Sequence, residues 1–240
     1  MQRVHAAAQR DLEQALSVAR ETGEKHLSAV ALNALAEVRL QQDQVPEAKI
    51  LAQSALEIRN SLGEKGNAKE SSVSLAEIEI EEGGFAAAAK LAETALAEFQ
   101  TENLRDDEIV ARAVLASALL GMGKPAEADQ ELNRARAKAS GSQHRLARLK
   151  LAITEARVRA ALGQLIEARN LLANIIAEAK KYGLRGYEFE ARLAAAGIDS
   201  PSSIADSRAT LKALSRDAAA KNFRLVARKA SLAAAGPQAR

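Results

Sequence analysis

Alanine stands at positions 8, 48, 88, 128 and 168, an unbroken spacing of 40 residues. A second column seven residues on reads Ala15, Ala55, Ala95, Ala135 and Ile175, and a third, twelve residues before the first, reads Ala36, Ala76, Ala116 and Ala156. Gly83, Gly123 and Gly163 recur at the same interval, with Asp43 in the glycine's place in the earliest copy. Self-similarity at a period of this length marks a stacked array, in which each unit buries its apolar face only against its neighbours. Such a chain has no central core, so the size limit on a single core does not bound it.

Within one period, Leu27, Val30, Ala31, Leu32, Leu35, Val38 and Leu40 fall at the three-and-four spacing of a helix that buries one broad face. Gln41-Gln42-Asp43-Gln44 interrupts the pattern, and Pro46 then suits the first turn of a new helix, where its missing N–H is not needed. Ala48, Leu51, Ala52, Ala55, Leu56 and Ile58 continue the period, and Gly63 is the expected helix end. Aromatic residues make up 2% of the chain and Trp is absent, which removes the residues a β-sandwich prefers. The expected fold is therefore all-α, built from pairs of antiparallel helices. The alanines are small so that helices can cross closely and accept Leu35, Leu75 and Leu115 from the facing helix. Glu155 occupies that leucine column, so either an arginine pairs with it or its unit packs differently.

The pattern divides residues 1–197 into a half repeat over 4–22, repeats over about 25–63, 65–103, 105–142 and 145–183, and an incomplete one over 184–197. A degenerate helical pair over 198–235 is expected to close the array, with Ser203 and Asp206 as a capping-box variant and a last helix from about Asn222 to Ala234. Residues 236–240 form the expected flexible tail. The half repeat at the start suggests a piece of a longer protein, in which Leu12 and Leu16 lack their native cover.

Ala76, Gly83, Ala88 and Ala95, and again Ala116, Gly123, Ala128 and Ala135, resemble the motif of the tetratricopeptide repeat family: a small residue on the first helix, glycine at the turn, then two alanines seven apart on the second. The resemblance covers roughly residues 5–197. It departs from the family in its longer period and in having Ala or Leu at the bulky aromatic positions, and is similar in this to the extended-helix variants of kinesin light chains and bacterial regulators. It implies a right-handed α-solenoid, a superhelix of stacked antiparallel helix pairs whose first helices line a concave groove for an extended peptide or a partner's helix. Carrying the family's groove positions across gives Val30, Asn33, Glu37 and Gln41, then Glu70, Val73, Glu77 and Glu81, then Val110, Ala113, Ser117 and Gly121, then Lys150, Ile153, Arg157 and Ala161. The partner-binding candidates among these are Asn33, Glu37, Glu70, Glu77, Glu81, Ser117, Lys150 and Arg157. Members that clamp a chaperone's terminal carboxylate have Lys, Arg and Asn where this chain has Glu37, Ser74, Val110 and Val114, so that role is not expected.

No other motif points to chemistry. Cysteine is absent, which removes disulfides and thiolate metal ligands. His5, His26 and His144 sit on separate segments without metal-ligand spacing, and Gly121-Met122-Gly123-Lys124 lacks the strand and following Ser or Thr of a phosphate loop. The acidic run Glu77, Glu79, Glu81 and Glu82 reads as a solvated helix face rather than an acid–base pair. The basic segment from Arg134 to Arg159 has no interleaved aromatics, so nucleic acid is not the expected partner. Residues 1–120 hold 12 Lys and Arg against 20 Asp and Glu, whereas residues 121–240 hold 22 against 11, a polarity that would orient a charged ligand. With neither a signal sequence nor an apolar run of about 18 residues, the expected setting is cytoplasmic, away from membrane. The sequence reads as a non-catalytic protein-interaction module with no catalytic residues, cofactor or metal, from a larger bacterial signalling protein. A homodimer through the truncated N-terminal end and the regulatory region of a multidomain enzyme such as a kinase are the alternatives.

Overall fold

The computed structural model describes residues 2–198 and 204–236, and the regular structure among them is entirely helical. The helices are α1 (Gln2–Glu21), α2 (Lys25–Gln41), α3 (Val45–Ser61), α4 (Lys65–Glu81), α5 (Phe85–Thr101) and α6 (Arg105–Gly121), followed by α7 (Pro125–Ala139), α8 (Arg145–Ala161), α9 (Leu165–Lys181), α10 (Arg185–Ile198), α11 (Ile204–Ala220) and α12 (Arg224–Ala235). From α2 to α10 a helix begins every 20 residues, so each repeat of the sequence is a pair of helices with similar turns inside it and after it. None is long and apolar enough to cross a membrane among the described residues.

One turn geometry explains this regularity. The N–H of Gly84 donates to the carbonyl of Glu79 at 2.8 Å and that of Gly83 to Ile80 at 3.1 Å, the pair of bonds that closes a helix through a left-handed residue. Gly23, Gly63, Gly83, Gly123, Gly163 and Gly183 all have φ between 70 and 82°, and Asp43, Asn103 and Asn222 hold the same conformation at φ 64, 57 and 68°. Asn and Asp are the side chains that tolerate it best after glycine. The next helix starts without help from its neighbours' side chains: Gln44, Glu64, Gly84, Leu104, Lys124, Gln164 and Phe223 precede helices and make no side-chain cap. Among the described turns the α7–α8 turn differs. There the Ser142 hydroxyl donates to Asp106 at 2.6 Å and accepts from the His144 N–H, while His144 Nδ1 accepts the N–H of Ala147.

The chain divides into two compact units, one of residues 1–40 and 44–151, the other of 152–240 with 41–43. In the first, α3 packs on α4, α4 on α5, α5 on α6 and α6 on α7, and the first helices α4 and α6 also touch directly. Ala48, Ala88 and Ala128 are fully buried at these crossings, as are Ala55, Ala95 and Ala135, and Leu35, Leu75 and Leu115 are buried opposite them. Two expectations fail at the start of the chain. Ala15 is exposed rather than packed at a crossing, and Leu16 is buried rather than bare, packed with Ala31, Leu32, Leu35 and Ala55 while Leu12 covers the same cluster. A buried charge network ties α6 to α7. Glu108 accepts hydrogen bonds from Arg112 at 2.9 and 3.1 Å and pairs with Lys138 at 3.1 Å, and Arg112 reaches on to Glu131. Burial alone would push the Glu108 carboxyl up, but hydrogen bonds from Arg112, Lys138 and Gln100 hold it below its ordinary value.

In the second unit α9 packs on α10, α10 on α11 and α11 on α12. Phe189 and Phe223 meet edge to face with centroids 5.2 Å apart, and Leu211, Leu214, Val226 and Ala230 complete that core. Glu155 is buried and accepts from Arg159 Nε at 3.0 Å and Nη2 at 2.6 Å, so the departure from the leucine column is resolved by pairing one helical turn away. The last helix begins two residues after Asn222, the left-handed position, and the Ser203 cap lies outside the described residues, as do residues 237–240 of the tail.

Ala95→Leu should overpack a crossing and cost about 1–3 kcal/mol, whereas Ala97→Leu, exposed on the same helix, should stay within about 0.5 kcal/mol of wild type. Equal urea midpoints for the two would contradict the assigned crossing. A Cβ at Gly123 meets nothing within 4 Å, so Gly123→Ala isolates the backbone cost of its positive φ, about 1–2 kcal/mol by thermal or urea unfolding.

Candidate functional site

In the first unit the candidate residues lie on α2, α4, α6 and the opening of α8. Val30 and Glu37 are exposed, and Asn33, Glu70, Glu77, Glu81, Val110, Ser117 and Lys150 are partly buried. Three carried-over positions do not line a surface: Val73, Ala113 and Ile153 are buried at 5, 0 and 2% exposure, and α4 and α6, which carry the first two, pack directly on each other. Gly121 is exposed, yet a Cβ there would come within 2.4 Å of the Phe85 ring, so the glycine lets that ring lie against the end of α6.

Carboxylates dominate this face, and each has a distinct environment. Glu70 is held above its ordinary value by burial; Arg59, reaching it from α3 at 3.3 Å, pulls the other way, and Asp107 and Glu64 reinforce the upward push. Arg59 is itself buried and donates to the Asn67 carbonyl at 2.6 Å and the Ser71 hydroxyl at 2.9 Å. Burial also raises the Asp107 carboxyl, Asp106 adds to the effect, and His144 and a backbone N–H oppose it. No Lys or Arg pairs with Asp107 among the described residues. Glu64 is the opposite case, lowered by hydrogen bonds from Asn67 at 3.1 Å and His26 at 2.8 Å. On α2 the Asn33 side-chain oxygen is buried with no hydrogen-bond partner among the described residues.

The cation predicted for the far end of the face is already engaged. Lys150 Nζ of α8 bonds the Glu77 carboxylate of α4, 73 residues away in sequence, with side chains 31 and 27% exposed. The remaining acidic run is dispersed, since Glu79 and Glu82 both pair with Lys49 of α3, at 2.7 and 2.6 Å. Arg157 falls in the second unit, where its guanidinium stands 3.9 Å from Glu190. Arg134 pairs with Glu131, Arg148 donates to the Ser142 carbonyl and Arg159 to Glu155, so the basic segment is shared out among local partners. No group of three His, Cys, Asp or Glu among the described residues could hold a metal ion.

Sequence reasoning missed Asp107, Arg59 and the Glu77–Lys150 pair. Arg59 had a signal, because its column reads Phe99, Ala139 and Ala179 in the later repeats, and a charge in an apolar column asks for a partner. Asp107 had none, since its burial depends on the helices on either side.

Residues 1–61 match the family model described as tetratricopeptide repeat. No curated protein sequence matches the chain. Among solved structures, the chain is similar to a Rap protein complexed with Competence and Sporulation Factor, with a TM-score of 0.62 and 15% identity over 95% of this chain and 70% of that one. Two structures of a Podosopora anserina putative kinesin light chain with nearly identical TPR-like repeats give TM-scores of 0.52 and 0.50, each at 23% identity over 75% of this chain and 94% of theirs. At these identities the likeness is one of fold.

Asp107→Asn tests the electrostatic description. A carboxyl whose folded value lies above its unfolded one ionises at the fold's expense; the penalty is absent at low pH and appears as pH rises through the folded value. The variant should therefore melt above wild type at pH 7, with the difference closing near pH 3 (about one unit below the ordinary carboxylate value). A lower melting temperature at pH 7 would contradict it.

Proposed function

We propose that this tetratricopeptide-like array is a non-catalytic protein-interaction scaffold, and that the first-helix face of its first unit binds an extended peptide or partner helix on behalf of a bacterial signalling or regulatory protein. The observation that carries this reading is the run of Glu37, Glu70, Glu77 and Glu81 with Asp107 along α2, α4 and α6, on helices whose other faces are spent on packing. Two partly desolvated carboxylates with raised values are groups that gain from an arriving cation. Fold by itself does not assign function. The Rap protein of similar fold was solved holding a factor, which supports a binding role for this helix-pair architecture.

The array immobilised as bait, with captured proteins crosslinked and the contacts mapped, tests the reading. Crosslinks should fall on α2, α4 and α6, and Glu70→Lys with Glu81→Lys should abolish them while Glu93→Lys, exposed on α5, leaves them intact. Crosslinks confined to α3, α5 and α7 would sink it.

A further inference from the structure

The Glu77–Lys150 pair joins helices separated by three others in the chain, and it lies on the face assigned to binding, so any part it plays in recognition rests on that reading. Nothing in the repeat pattern requires the pair. The column of Glu77 continues as Glu37 and Ser117, and that of Lys150 as Val30, Glu70 and Val110, so neither partner is a repeat-packing residue. With about 30% of each side chain exposed, both charged ends are within reach of a ligand. Around the pair the face is acidic, with Glu70 and Glu81 on α4 itself, Glu37 on α2 and Asp107 on α6, while Ser117 and Gly121 leave the corresponding stretch of α6 without bulk.

We propose that Lys150 is a built-in stand-in for a ligand's guanidinium: the face takes an arginine-bearing extended segment of another protein, one of whose side chains displaces the Lys150 ammonium from the Glu77 carboxylate. An ammonium meets a carboxylate as a point charge, whereas a guanidinium meets it with two parallel N–H donors in a fixed fork, so the exchange favours arginine. The surplus of carboxylates on the face favours a cationic segment and opposes an anionic one. Lys150 meanwhile keeps Glu77 compensated when no ligand is bound, which is the cost an incoming arginine must overcome and the reason the exchange is selective.

Fluorescence anisotropy of the intact chain with two labelled dodecapeptides, one alternating Arg and Gly and the other Glu and Gly, tests this at physiological salt. The arginine peptide should bind and the glutamate peptide should not. Lys150→Met should tighten arginine-peptide binding about tenfold by removing the competitor, Lys150→Arg should weaken it, and Glu77→Gln should weaken it and cancel the gain from Lys150→Met. Unfolding midpoints near wild type confirm that the variants are folded, as expected for a partly exposed pair. If the arginine peptide binds and Glu70→Gln weakens it while Lys150→Met changes nothing, the stand-in is wrong and the binding face survives. Binding of the glutamate peptide through Lys150, or a dimer of the chain that the arginine peptide cannot dissociate, assigns the face to another occupant and overturns the proposal. No binding by any variant overturns both it and the binding face.

Discussion

Close approach of helices at alanine is the constraint on which everything else in this molecule depends. A fully buried alanine removes little apolar surface from water, so no single crossing contributes much. What the small side chain supplies is proximity: the facing leucine makes contacts on all sides, and dispersion accumulates over many pairs. Where the column leaves room the chain fills it, with Leu132 and Leu172 in the later repeats at the position of Ala52 and Ala92, and Phe99 is buried in the last turn of α5. Stability is thus spread along the array, and α4 and α6 each pack on both chain neighbours and on each other.

The periodicity carried the fold. Alanine spacing placed the helices, and the apolar pattern placed the turns within a residue or two. The half-period was harder to see because its marker is a backbone conformation rather than a residue type, met by glycine at most turns but by Asp43, Asn103 and Asn222 at others. Side-chain caps, the usual sign of a helix start, are not used at α3, α4 or α5. The site was legible only in outline. Register put Glu37, Glu70 and Glu77 on one face, but depth within a face depends on how close the next pair lies, which is why Val73 and Ala113 proved buried. A pair such as Glu77 and Lys150 belongs to tertiary structure alone.

Charge follows the same division between local and long-range order. The acidic first half and basic second half look in sequence like two opposed surfaces, yet many of these charges pair between helices: Arg39 with Glu13 and Glu47, Lys49 with Glu79 and Glu82, and Arg192 with Asp217. Exposed pairs of this kind contribute about 0–1 kcal/mol each, so their effect is to fix which neighbour a helix faces. The buried Glu108–Arg112–Glu131 network is different, since its carboxylate is too enclosed to lose a partner cheaply.

The turns leave one set of positions that helix closure does not constrain. A turn closed by main-chain bonds around one left-handed residue asks nothing of the side chain just before it, and among the described turns that residue is Thr22, Gln42, Leu62, Glu82, Glu102, Met122, Leu162, Tyr182 or Lys221. Leu62, Met122 and Leu162 are each about two-fifths exposed there, apolar groups that helix closure does not require. The loop edge is therefore free to drift in sequence without endangering the helices behind it, and a lineage of such arrays can diversify its outer chemistry at the turns while the alanine columns stay fixed.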